Sequence, residues 1–235
     1  MKFSPRAEWP FWTLIAAMFI ASAVVWPMVP ERFPMHYNLH GHVDRYGTRA
    51  DAPIPLLLAP VISAVLYVLM LLTPLVDPGR ANYDRFGAAY WVVRFVVLAN
   101  LAVLHAVVLL STLGHRVDIG RIMLCSLAVV LFALGTVMGK IRPNWFVGVR
   151  TPWTLSSKLS WTHTHRASGW IFIVLGFWTF AAAFLRAPWN LVAVFAGVLL
   201  GTAGLVLYSY LVWRRDPGRV PPAGTTPAEN ESAKE

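Results

Sequence analysis

Long apolar runs alternate with short polar stretches along this chain. The runs cover about Phe11 to Val29, Ile54 to Val76, Ala89 to Leu113, Ile122 to Met138, Trp170 to Leu185 and Trp189 to Trp213. A helix of about 20 apolar residues crosses about 30 Å of hydrocarbon, so the pattern predicts an all-α, polytopic membrane protein, a bundle of about six transmembrane helices. The first run carries Ala21-Ser22-Ala23, the small-x-small form of a leader cleavage site. It continues through Trp26 to Val29, long enough to span, and reads as an anchor. Gly135-x-x-x-Gly139 and Gly197-x-x-x-Gly201 have a spacing that brings helices close together, inside a bundle or between copies.

Composition fits this reading. Of 235 residues 57% are hydrophobic and 13% charged, and mean hydropathy is +0.57, outside the range of soluble domains. A formal charge of +9 would suggest nucleic acid in a soluble protein. Here the cations interrupt spans and act as a topology signal. Lys and Arg are concentrated in the N-terminus, the loop 77–88, the long loop 139–169 and the tail, which predicts that these segments and both termini are cytoplasmic. The loop Pro30–Pro53 is then external. From Arg214 the tail is charged, Pro-rich and apolar-poor, and is expected to be disordered. The lone Cys125 lies in an apolar run, excludes an intrachain disulfide, and reads as an inert core residue.

The longest polar stretch is Gly139–Gly169. It holds Lys140, Arg142, Arg150, Lys158, Arg166, His163, His165, Trp145, Trp153 and Trp161, with no Asp or Glu. Tryptophan interleaved with cations suits the lipid headgroup layer, so one reading is a membrane-anchoring loop and the other a binding surface. Pro143 and Pro152 push Arg142 and Thr151 toward extended geometry, and Gly148 allows a turn between them. Ser156 can cap a short helix through Trp161 to Arg166. A helix N-terminus near Arg142 and Arg150 would suit an anion such as a lipid phosphate or a partner's carboxylate.

The loop Pro30–Pro53 is rich in Pro, Gly and polar residues and reads as extended. His36, His40 and His42 are low-ranking metal candidates, with Asp44 and His115 as further donors; a hydrogen-bonded loop docked on the helix ends is the simpler reading. Arg94 and His105 lie eleven residues apart, within about 20° of one helix face. Arg94 reads either as a snorkelling interfacial residue or as a functional one, and His105 as a satisfied core histidine. The sequence has no GxSxG, no HExxH and no GxxxxGK[ST], and its eleven acids lie outside the proposed span interiors. No cofactor and no direct nucleic-acid binding are expected. Two alternatives stay open: a metal-dependent membrane enzyme using the His-rich loop, and an anion transporter using Arg94 and His105.

Two ordered motifs carry a family resemblance. Gly139-Lys140-Ile141-Arg142-Pro143-Asn144, Gly148-x-Arg150-Thr151-Pro152-Trp153-Thr154-Leu155-Ser156 and Trp161-x-x-Thr164-His165-Arg166-x-x-Gly169 resemble the signature of the SdpI family of bacterial membrane proteins. Pro34-x-His36-x-Asn38-x-x-Gly41-x-x-Asp44-x-Tyr46-Gly47 resembles the small uncharacterised domain at the N-terminus of many members. One departure stands out. The family's acidic residues after the Ser pair are replaced by Lys158 and Leu159, and its basic ones by Thr162 and His163.

The resemblance implies an immunity protein of the bacterial inner membrane. It would protect the cell from a secreted, membrane-active toxic peptide, and some relatives relay toxin occupancy to a soluble regulator. The implied partners are the lipid bilayer, a toxic peptide outside and a soluble regulator inside. The implied organisation is a helical pair with its external loop (1–88), an SdpI-like transmembrane region with the signature loop (89–213), and the tail (214–235).

Overall fold

The computed structural model describes residues 5–219. In chain order the main elements are α1 (Pro5–Val25), β1 (Arg32–Tyr37), β2 (Val43–Thr48), α2 (Pro53–Val76), α3 (Tyr83–Thr112), α4 (Ile119–Met138), α5 (Pro152–Ser156), α6 (Lys158–Ala182) and α7 (Trp189–Arg214). Among the described residues, α1, α2, α3, α4 and α7 are long and apolar enough to cross a membrane. The sixth long helix, α6, begins twelve residues before the expected Trp170 and ends at Ala182. Its first turns carry Lys158, His163, His165 and Arg166, so only the part from Trp170 on is apolar. The long polar stretch is therefore half loop and half helix. Most of the expected tail, from residue 220, lies outside the described residues, as does Lys2.

The bundle has two parts. Helices α1, α2 and α3 pack on one another, α4 and α6 form the most extensive pair, α7 packs on α6, and α3 packs on α4. Glycine sets the α4–α6 distance. A Cβ on Gly135 would lie 2.8 Å from the Gly169 carbonyl oxygen and 2.7 Å from Ile173 Cγ1. Gly197 and Gly201 likewise face Trp178, Leu175 and Ile171 of α6, so both spaced pairs contribute a glycine to packing within the bundle.

The loop Pro30–Pro53 is more ordered than an extended segment. Strands β1 and β2 pair antiparallel, with register shifts near His36. The hairpin docks on the helix ends through Tyr37, which hydrogen-bonds Ser111 of α3, and through Phe33, buried with Val29, Leu56 and Leu109. The all-α membrane bundle therefore carries one small β-ribbon at one end. The α2–α3 loop and the segment before α5 gather at the other end, held by contacts such as Trp145 with Asp77.

Arg94 does not snorkel. Its side chain is 1% exposed, and its Nη2 donates to both oxygens of buried Glu8, at 2.7 and 2.8 Å. Tyr67 donates to the same carboxylate at 3.1 Å, and Phe11 and Tyr90 flank the guanidinium. His105 sits on the same helix face. Its Nε2 is 3.1 Å from both Ser22 Oγ and the Met18 carbonyl, and Ser22 also donates to the Leu56 carbonyl at 2.6 Å. These two polar knots tie α1 to α2 and α3 in a region where apolar contact cannot tell protein from lipid.

An unpaired buried charge costs about 3–5 kcal/mol, whereas replacing both partners by apolar groups is far milder. Glu8→Gln should therefore destabilise the detergent-solubilised protein by about 3 kcal/mol or more, and Glu8→Leu with Arg94→Met should be closer to wild type. Thermal unfolding followed by size-exclusion chromatography checks both.

Candidate functional site

The signature is built from inside out. Asn144 is buried and uses its whole amide. Its Nδ2 donates to the carbonyls of Arg142 (2.8 Å) and Val147 (2.9 Å), and its Oδ1 accepts from the N–H groups of Phe146 (2.9 Å) and Val147 (2.6 Å). That is two donors and two acceptors, all that an amide side chain has, and it folds residues 142–147 into a compact turn. Neighbours then fix the turn in place. Asn82 donates to the Pro143 carbonyl at 2.8 Å, and Asp77 accepts from the Trp145 N–H at 3.1 Å and from Tyr83 Oη at 2.8 Å.

His165 holds the far side. It is 1% exposed, donates from Nδ1 to the Trp161 carbonyl at 2.8 Å, and accepts the Val149 N–H on Nε2 at 3.1 Å. Those two partners require the neutral ring protonated on Nδ1. Burial pushes its pKa down to about 4, against a smaller upward pull from the Trp161 carbonyl. His165 lies before Trp170, in the polar part of α6. Gly148 has φ +116°, and a Cβ there would lie 2.2 Å from His165 Nε2, so both the turn and the close approach demand glycine. Trp161 stacks on the imidazole at 4.0 Å and donates to the Ile141 carbonyl at 3.0 Å. Below it lie Tyr83, Phe86, Tyr90, Val137 and Met138.

Thr151 caps α5 in a reciprocal box with Thr154, and its hydroxyl is 3.0 Å from that of Ser209 on α7. Pro152 takes the first helical position, where its missing N–H costs nothing. The expected cap at Ser156 is displaced by one residue. Ser156 ends α5, whereas Ser157 accepts the Ser160 N–H at 2.9 Å and opens α6. Ser157 also donates to Asp216, closing the site against the end of α7. Thr164 is fully buried, and Trp153 packs edge-on against Tyr210.

The remaining signature side chains point outward. Lys140, Arg142, Arg150 and Arg166 are exposed, with Trp145 and Phe146 beside them. Arg150 is partly tethered, donating from Nη1 to the Trp145 carbonyl. Lys158, Leu159, Thr162 and His163 are also exposed. The candidate residues thus divide into a buried frame (Asn144, Thr151, Trp161, Thr164, His165) and an exposed cationic–aromatic face.

At the hairpin the motif is likewise architectural. His36 Nδ1 meets Asp44 at 2.6 Å, Asn38 Oδ1 accepts the N–H groups of His40 (2.9 Å) and His42 (3.0 Å), and Gly41 turns the chain at φ +80°. Tyr46 lies under Arg32. Among the described residues no three His, Cys, Asp or Glu side chains come together as a metal site.

Comparison with known proteins now bears on these two regions. The SdpI/YfhL protein family matches residues 140–209, and a domain of unknown function (DUF1648) matches residues 13–64. The chain thus carries an SdpI/YfhL-type region, preceded by a DUF1648 region. The "Immunity protein SdpI" of Bacillus subtilis (strain 168) is 22% identical over 202 residues, covering 86% of this chain and 93% of the relative. No solved structure matches the chain. The SdpI match contains the signature frame and all of α6, and the DUF1648 match contains the hairpin.

Sequence reasoning did not find Asp77 or Glu8. Asp77 stood at a span boundary as an ordinary loop acid, although it organises the turn from outside the signature. Glu8 lies just before the first expected span, among the acids placed outside the span interiors. The signal for it was Arg94, a cation in an apolar run that needs an anion.

The low pKa of His165 gives a sign. Between its folded value of about 4 and the ordinary 6.5, the unfolded chain takes up the proton and the folded site does not. The stabilisation is thus complete above pH 6.5 and falls progressively toward pH 4. His165→Phe should abolish that part of the slope in thermal unfolding and, by orphaning the Val149 N–H, cost about 1–3 kcal/mol at neutral pH.

Proposed function

We propose that this protein is a membrane immunity protein of the SdpI type, acting by binding and not by catalysis. It protects its cell from a membrane-active toxic peptide and relays occupancy to a soluble regulator. The observation that carries this reading is the similarity to an immunity protein over 86% of the chain. The geometry supports it. The buried polar groups of the signature are largely spent on one another, while its exposed residues form a cationic and aromatic face.

The distribution of Lys and Arg supports an inner-membrane protein with both termini and the signature face in the cytoplasm and the hairpin outside. In that orientation the hairpin end meets the peptide and the signature end meets anionic lipid or the regulator's carboxylates. The helical pair 1–88 and the region 89–213 serve those two tasks. Two residues of the alternatives have partners within the chain. His36 is engaged by Asp44, and the charge of Arg94 is met by Glu8.

If Arg142 and Arg150 bind an anionic group, Arg142→Gln with Arg150→Gln should reduce survival under peptide challenge to that of cells lacking the gene, at unchanged membrane abundance. Retained protection at matched abundance would contradict the role assigned to this face.

A further inference from the structure

Besides the signature face, the fold has a second built surface at its opposite end. A cleft of about 700 Å³ lies between the hairpin tip, the start of α4 and the α6–α7 turn. Leu39 and His40 line it from the tip, Asp118 and Arg121 from α4, and Phe184 and Arg186 from the turn. It is the place where the two family-matched segments face each other, since the tip belongs to 13–64 and the turn to 140–209. All six side chains are exposed; Leu39 is 68% accessible and Phe184 58%. The cations are Arg121 and Arg186. The lining carboxylate, Asp118, is committed to capping α4 and to Arg121 at 3.3 Å. Apolar side chains and an excess of positive charge therefore share one concavity.

Two of the helices that reach this cleft, α4 and α6, also run to the signature. Asp118 and Arg121 stand at the first turn of α4, whose far end at Met138 leads directly into Gly139 and Lys140. Ala183 and Phe184 follow the last turn of α6, whose first turns carry Trp161 and His165. A 25-residue helix spans about 37 Å, and α4 and α6 are locked together at Gly135 and Gly169. Two rigid rods thus have one end in the cleft and the other in the signature.

We propose that this cleft is where the toxic peptide docks, resting on the immunity reading above. The ligand it fits is an amphipathic peptide that presents a carboxylate to Arg186 and apolar side chains to Leu39 and Phe184. Charge-assisted pairing with a guanidinium supplies orientation, and the apolar contacts supply area. Docking bridges the hairpin to the α4–α6 pair, so occupancy bears on the rods that end at the signature. A neighbouring apolar groove of about 440 Å³, lined by Leu58, Ile62 and Leu104 beneath the hairpin, opens between α2 and α4 and suits a lipid chain better than a charged peptide.

The test uses the full-length protein in cells challenged with the small-peptide fraction secreted by the source organism. The photoreactive residue p-benzoylphenylalanine is placed at position 39, 185 or, as a control in the groove, 58. Crosslinks to the peptide at 39 and 185 but not 58 are expected. At matched abundance, Arg186→Glu should lower the protective dose range about tenfold or more, the equivalent of about 1.4 kcal/mol, and Arg186→Lys should keep most of it. Wild-type protection that Arg186→Glu leaves intact, or crosslinks confined to 58, would overturn the cleft while leaving immunity standing. A wild type that gives no protection would remove the immunity reading and the docking proposal with it.

Discussion

A neutral His165 accepts the Val149 N–H at the point where Gly148 lets the backbone touch the imidazole, and the signature is assembled outward from that contact. The constraint behind it is general. A chain excursion beside hydrocarbon has little water to satisfy its N–H and C=O groups, so each needs a protein partner. His165 and Asn144 serve the backbone on either side of Gly148, and Trp161 seals the imidazole from below. With the backbone satisfied internally, Lys140, Arg142, Arg150 and Arg166 are free to face outward. The same residues would be costly in any arrangement that buried their charges.

The membrane part solves a different problem. Lipid is as apolar as leucine, so the hydrophobic effect gives little reason for one helix to prefer another. Here preference comes from two sources. Close glycine contact locks α4 to α6, and buried polar pairing, Glu8 with Arg94 and Ser22 with His105, fastens α1 to α3. The first is a packing solution suited to two straight rods. The second fixes the N-terminal helix, and through α2 and α3 the hairpin, in one register against the remainder. The arrangement places a concave, mixed-polarity surface at one end and a cationic face at the other, with α4 and α6 common to both.

How much of this was legible in the sequence depended on the range of the interaction. The spans were readable because hydrocarbon thickness imposes a length, and five of them are helices of the expected kind. The signature residues were readable as a group, but not their division into frame and face. That division follows from whether a side chain points at its own backbone, and spacing alone does not say. Ser156 and Ser157 are equivalent by type, and the structure chose the second because the chain must turn once more before α6. The extension of α6 back to Lys158 was hidden because its polar residues read as loop, whereas Trp161, Thr164, His165 and Ser168 form a helical stripe buried in the bundle. Glu8 and Asp77 were missed for one reason. Each is an acid at a span edge whose partner is far away in the chain, Arg94 in one case and the Trp145 N–H in the other.

For a peptide outside the cell to act on a cytoplasmic signature face, the two faces must lie on opposite sides of the bilayer. Single cysteines in place of Leu39 at the hairpin tip and of Trp145 on the signature face, in a Cys125→Ala background, can be labelled in intact cells with a membrane-impermeant thiol reagent. Position 39 should react at once, and position 145 only after the membrane is opened. Labelling of position 145 in intact cells, or protection of position 39, would contradict that arrangement.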